Sequence, residues 1–172
     1  MAKILVTGGC GFIGSHTCLS LLEKNYELYV IDSLINSSPI SLNRVGEITS
    51  KSGKLYLFKG DLRDIEFIRD VFSKSRNENK PISSVIHFAG LKAVGESFLK
   101  PIQYWDNNVI GTINLLRVME ENDCNTIVFS SSATIYRVVD NIPIKENFHI
   151  ESTNPYGNTK VVIEKLLNDI FL

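Results

Sequence analysis

The chain has 172 residues with 18 basic and 19 acidic side chains, a formal net charge of −1, and 44% apolar and 22% charged residues. Those proportions belong to one globular domain and exclude disordered, fibrous and membrane-spanning chains, while the balanced charge gives no ground for a nucleic-acid or membrane partner. Cys10, Cys18 and Cys124 are odd in number and match no metal-ligand spacing, so they read as reduced thiols of a cytoplasmic protein without a metal centre.

In chain order, β-branched and aromatic runs predict buried strands at Lys3–Thr7, Glu27–Asp32, Lys54–Lys59, Ser84–Ala89 and Thr126–Ser131. Helical patterns fall between them. Ile13–Lys24 places Cys18, Leu21 and Leu22 on one face, and Asp64–Ser75 does the same with Phe67, Ile68, Val71 and Phe72. The polar stretch Ser73–Lys80 reads as a surface loop. Pro101 opens a long helix reaching Asn122 with the stripe Ile102, Trp105, Val109, Ile113 and Leu116. Asn154 is placed to cap a final helix that has Pro155 at its first position. Strands joined by helices imply an α/β fold, a doubly wound, Rossmann-like parallel sheet in the order 3-2-1-4-5. Its ligand crevice lies at the carboxyl ends of the strands, just beyond Thr7 and Ala89.

Gly8-Gly9-Cys10-Gly11-Phe12-Ile13-Gly14 follows the first strand and opens the first helix. Glycines so spaced allow a tight turn and bring backbone N–H groups against a pyrophosphate at the helix N-terminus, which predicts dinucleotide binding. Asp32 ends the second strand 18 residues beyond Gly14, near the spacing of an acid that bonds ribose hydroxyls, and its charge favours NAD over NADP. Asp61, after the third strand, falls where the adenine edge should lie. Tyr156 and Lys160 stand one helical turn apart. A neighbouring ammonium favours the phenolate and makes Tyr156 a general base, and Ser130-Ser131-Ser132 supplies a hydroxyl for the same substrate oxygen.

These residues resemble the extended short-chain dehydrogenase/reductases, and within them the UDP-glucose 4-epimerase family. The resemblance is carried by TGGCGFIGSH (Thr7 to His16), HFAGLKAVGES (His87 to Ser97), DNNVIG (Asp106 to Gly111) and SSSATIY (Ser130 to Tyr136). It implies a bound NAD held by Gly8, Gly11, Phe12, Ile13 and Gly14 at the pyrophosphate. Asp32, Ser33, Leu34, Asn36 and Ser37 would hold the adenosine ribose, Asp61 and Leu62 would flank adenine, and Phe88, Ala89, Gly90, Lys92 and Asn107 would line the rest. Ser132, Tyr156 and Lys160 are implied as the catalytic triad, also touching the cofactor. The implied reaction inverts C4 of a UDP-hexose through a 4-keto sugar. A homodimer through helices 101–122 and 154–172 is implied as well.

The pattern also departs from that family. Ser33 replaces a usual Asn, and Arg137 replaces a common Gly where an unusual backbone angle is expected. The chain ends at Phe171-Leu172 inside a helix, before the strands and substrate domain that the resemblance implies, so residues 1–172 read as an incomplete NAD-binding domain unable by itself to turn over substrate. Two rival readings are another nucleotide-sugar epimerase or dehydratase, and a non-catalytic nucleotide-binding module.

Overall fold

The computed structural model describes residues 3–137 and 143–171. Five strands, β1 (Lys3–Thr7), β2 (Glu27–Asp32), β3 (Leu55–Lys59), β4 (Ile82–His87) and β5 (Ile127–Phe129), form one parallel sheet in the order β3-β2-β1-β4-β5. This is the predicted topology. β1 is buried at every position because it is central and covered on both faces, which is why it reads as an apolar run and not as an alternation.

Helix α1 (Phe12–Glu23) sets Cys18 and Leu22 into a core with Ile4, Val6, Leu28 and Val30, joined by Leu42 and Val45 of α2 (Ile40–Thr49). Sequence reading assigns no helix at α2, because its β-branched and serine-flanked stretch has weak helix propensity; burial of Leu42 and Val45 decides the matter. Helix α3 (Ile65–Asn77) is capped by Asp64, whose side chain accepts from Phe67 N at 3.1 Å. It overruns the predicted surface loop at Ser73–Lys80. Ser75 is the reason: fully buried, its hydroxyl donates to Phe72 O and accepts from Ile82 N, so the polar residues around it are the outer face of a helix.

A short helix, α4 (Val94–Leu99), precedes Pro101, and the predicted long helix is three pieces: α5 (Pro101–Trp105), a π-turn (Asp106–Ile110) and α6 (Gly111–Glu121). The extra residue of a π-turn rotates the succeeding helix by about 100°, so no stripe of 3.6 period survives across it. Hence Ile102 is 83% exposed and Trp105 partly so, whereas Tyr104, Asn108, Val109, Leu115 and Leu116 are buried. Helix α7 (Pro155–Phe171) begins as expected, Asn154 Oδ1 accepting from Gly157 N at 2.8 Å.

The chain divides into two compact units, residues 1–89 with 113–130 and residues 90–112 with 131–172. The first holds the whole sheet and α1–α3. The second holds α4, α5, the π-turn and α7. Among the described residues no helix is long and apolar enough to cross a membrane.

Candidate active site

In the first unit the turn between β1 and α1 is shaped by Gly8, at φ +70, where an added Cβ would lie 2.7 Å from Ala89 N. Only glycine meets both demands. Gly11 is the N-cap of α1 and brings no side chain to its first N–H groups, which leaves them for an anionic ligand, next to the exposed Phe12 and Ile13. Thr7 Oγ1 is hydrogen-bonded to the buried His87 Nδ1 at 2.6 Å and accepts from Ala89 N at 3.3 Å, tying the ends of β1 and β4 together.

Asp32 is buried at the end of β2 and organises its own loop. One carboxylate oxygen accepts from Leu34 N (2.9 Å) and Ser37 Oγ (2.7 Å), the other from Cys10 N (2.9 Å). Leu34 takes a left-handed conformation to make its bond. Three bonds leave room on the carboxylate for one more donor, such as a ribose hydroxyl. Ser33 is half-buried and Asn36 exposed. Burial, then the charge of Asp32, pushes the Cys10 thiol up to about 12, so the cysteine in the glycine turn is inert. Asp61 is clasped by its neighbour Arg63, through Nε and through Nη2 at 2.7 Å, which holds its carboxyl below the usual range. Leu62 is buried, and the Asn114 amide donates to the carbonyls of Leu62 and Arg63.

In the second unit Tyr156 and Lys160 occupy the first turns of α7 and are 8% and 5% exposed. Burial lowers the Lys160 pKa from 10.5 to about 8, partly offset by Glu164 one turn on. The start of α7 lies against the turn Ala133–Ile135: an added Cβ on Gly157 would come within 2.6 Å of Thr134 O, so the residue after Tyr156 must be small. Ser132 caps that turn, its hydroxyl accepting from Thr134 N at 3.2 Å and bonded to Thr134 Oγ1 at 2.9 Å. Ser131 Oγ is buried with no hydrogen-bond partner among the described residues. Arg137 is not among the described residues with positive φ and pairs with Glu151 at 3.4 Å, so the expected backbone strain at this position is absent.

Of the other expected residues, Phe88, Ala89, Gly90 and Asn107 are half-buried and Lys92 is exposed. Sequence reasoning missed Asn108 and Tyr104. The Asn108 amide accepts from Leu91 N (2.8 Å) and donates to Leu91 O and Thr159 Oγ1 (3.0 Å each), tying the loop after β4 to α7. The doubled Asn in DNNVIG was the available signal, since a buried amide inside a helix needs a partner.

A protein-family model described as GDP-mannose 4,6 dehydratase matches residues 5–171. The chain is 51% identical over 167 residues to a UDP-glucose 4-epimerase of Bacillus subtilis, covering 97% of this chain and 47% of that protein. Among solved structures it is similar to the UDP-glucose 4-epimerase of Bifidobacterium longum in complex with NAD+ and UDP (TM-score 0.91, 45% identity, 98% of this chain and 49% of that one). It is also similar to that of Stenotrophomonas maltophila with bound NAD and formylated UDP-arabinopyranose (TM-score 0.90, 39% identity, 99% and 48%). The chain thus spans about half the length of the curated relatives it matches. Matched from strand β1 to the last turn of α7, it belongs to the GDP-mannose 4,6 dehydratase family.

Proposed function

We propose that the chain binds NAD and is the nucleotide-binding part of an enzyme that inverts C4 of a UDP-hexose, with UDP-glucose and UDP-galactose the first pair to test. The observation that carries this reading is the burial of Tyr156 and Lys160 together at the start of α7. A lysine nine-tenths buried, with its pKa held near 8, is expensive to keep and is the kind of group that tunes a neighbouring acid or base. A module that merely bound a nucleotide would have no use for it.

The first unit fits the adenosine and pyrophosphate half of the dinucleotide. The glycine turn and uncapped α1 N-terminus face the phosphates, and Asp32 keeps an acceptor for the ribose while repelling a 2′-phosphate. When bound, NAD would supply the acceptor and donor of the hydride exchanged with C4 of the sugar, which would pass through a 4-keto form. The protein handles the proton. Tyr156, as the phenolate that the Lys160 ammonium favours, takes it from the 4-hydroxyl and, as the phenol, gives it back, while Ser132 and Thr134 offer hydroxyls to the same oxygen.

Calorimetric titration tests the cofactor assignment: NAD should bind at least tenfold tighter than NADP, about 1.4 kcal/mol, and equal affinities would overturn it. The 172-residue chain is expected not to turn over UDP-galactose alone, because orienting the sugar supplies several kcal/mol of the barrier reduction and relatives are twice as long. A second reading, removal of water from the same class of substrate, is favoured by the description of the family model. It is distinguished by a product lighter by one water, against an isomer of unchanged mass.

A further inference from the structure

Tyr104 is fully buried in the second unit, and its hydroxyl is used completely. It accepts from Ala93 N at 3.1 Å, and its single proton has two acceptors in reach at 2.9 Å, Ala93 O and Glu96 Oε2. Glu96 is paired in turn with Lys100 at 3.0 Å. The ring of Tyr104 meets that of Tyr156 edge to face, with centroids 6.5 Å apart and planes at 77°. Burial and the Glu96 carboxylate push the Tyr104 phenol up to about 12, so it stays neutral beside Tyr156.

Packing alone would be served by phenylalanine. The hydroxyl acts on a loop: both backbone groups of Ala93 are bracketed by Tyr104, and both backbone groups of Leu91 are bracketed by Asn108. Lys92, held from both sides, keeps its side chain exposed. We infer that Tyr104 is a positioning residue that fixes the Leu91–Ala93 loop and the ring of Tyr156 in one arrangement, so that Lys92 and Tyr156 together serve the nicotinamide half of the dinucleotide. This rests on the NAD reading above.

The test compares NAD with ADP-ribose, which shares all but the nicotinamide. Both are titrated into the chain and into Tyr104→Phe, which keeps the ring and removes the hydroxyl. NAD affinity should fall at least tenfold and ADP-ribose affinity by less than twofold, with the melting temperature and the emission of Trp105, the single tryptophan, little changed. Equal losses for both ligands, or no loss for NAD, would overturn the inference. Should Tyr104→Phe not fold, Ala93→Pro, at φ −79 within proline's range, removes the one bond that Ala93 N donates to the Tyr104 hydroxyl, and a differential loss in the same direction is expected. Failure of the unaltered chain to bind NAD would sink the functional reading, and this inference with it. NAD binding without the differential loss would sink this inference alone.

Discussion

Two buried lysines show how partners decide the sign of a shift. Burial alone would lower the pKa of Lys3, but the Glu78 carboxylate at 2.5 Å, the Tyr29 ring 3.9 Å from its ammonium and Glu27 at 3.3 Å together raise it. For Lys160 burial outweighs the charge of Glu164, and the pKa falls to about 8. The folded chain therefore releases that proton near pH 8 while the unfolded chain holds it to about 10.5. Between those values the unfolded state binds more protons, so stability rises with pH across the window; below it the burial of the ammonium costs about 3 kcal/mol. Lys160→Met should accordingly be more stable at pH 7 by about 1–3 kcal/mol, with the gap shrinking from pH 8 to 10. Urea unfolding at both ends of the window checks it, and a variant less stable at pH 7 would refute it. Lys160 could be picked out in the sequence by its distance from Tyr156, but its cost could not, because the cost depends on what surrounds it. The same holds for Tyr104 and Asn108, whose partners lie in a loop that no spacing rule connects to them.

Elements were legible where one signal dominated. β1 and β2 have the bounds that their apolar runs predict, and α7 begins where Asn154 and Pro155 place it. That cap should contribute about 1 kcal/mol. Asn154→Ala should lower stability by that amount and loosen the first turn, which holds Tyr156. Hydrogen exchange at Gly157 N, the amide the Asn154 side chain accepts from, would report it, and unchanged protection there would refute the role. Elsewhere two signals competed. Across Asp106–Ile110 the apolar spacing of a continuous helix gives way to a π-turn, because Asn108 must reach Leu91 and Thr159, and the demand of one buried amide overrides a regular stripe. α2 was not visible because its helix formers are poor and its stability comes from contacts with α1 and the sheet.

For the whole molecule, the exposed apolar residues are the informative surface. Val128 at the centre of β5 is 59% exposed, and among the described residues β5 pairs with β4 alone, so one edge of the sheet offers unpaired backbone groups. Phe98, Leu99, Ile102 and Ile110 are exposed on α4, α5 and the π-turn. We expect the chain to self-associate through these helix faces, the β5 edge, or both. Val128→Lys should weaken edge pairing and leave a helix-mediated dimer, and light scattering that finds a monomer at high concentration in both forms would refute the expectation.

The two compact units are threaded through one another along the chain, since 113–130 returns to the first unit between the two segments of the second. No single stretch of gene encodes either one. A chimaera that exchanged everything after Ala89 with a relative would import a foreign β5 and the greater part of α6 into the native sheet unit, along with the donor's Tyr156 and Lys160. Recombination that respects the units needs three crossovers, near 89, 112 and 130. A library built with those three should yield a larger folded fraction than one with a single crossover at 89, at equal parental identity.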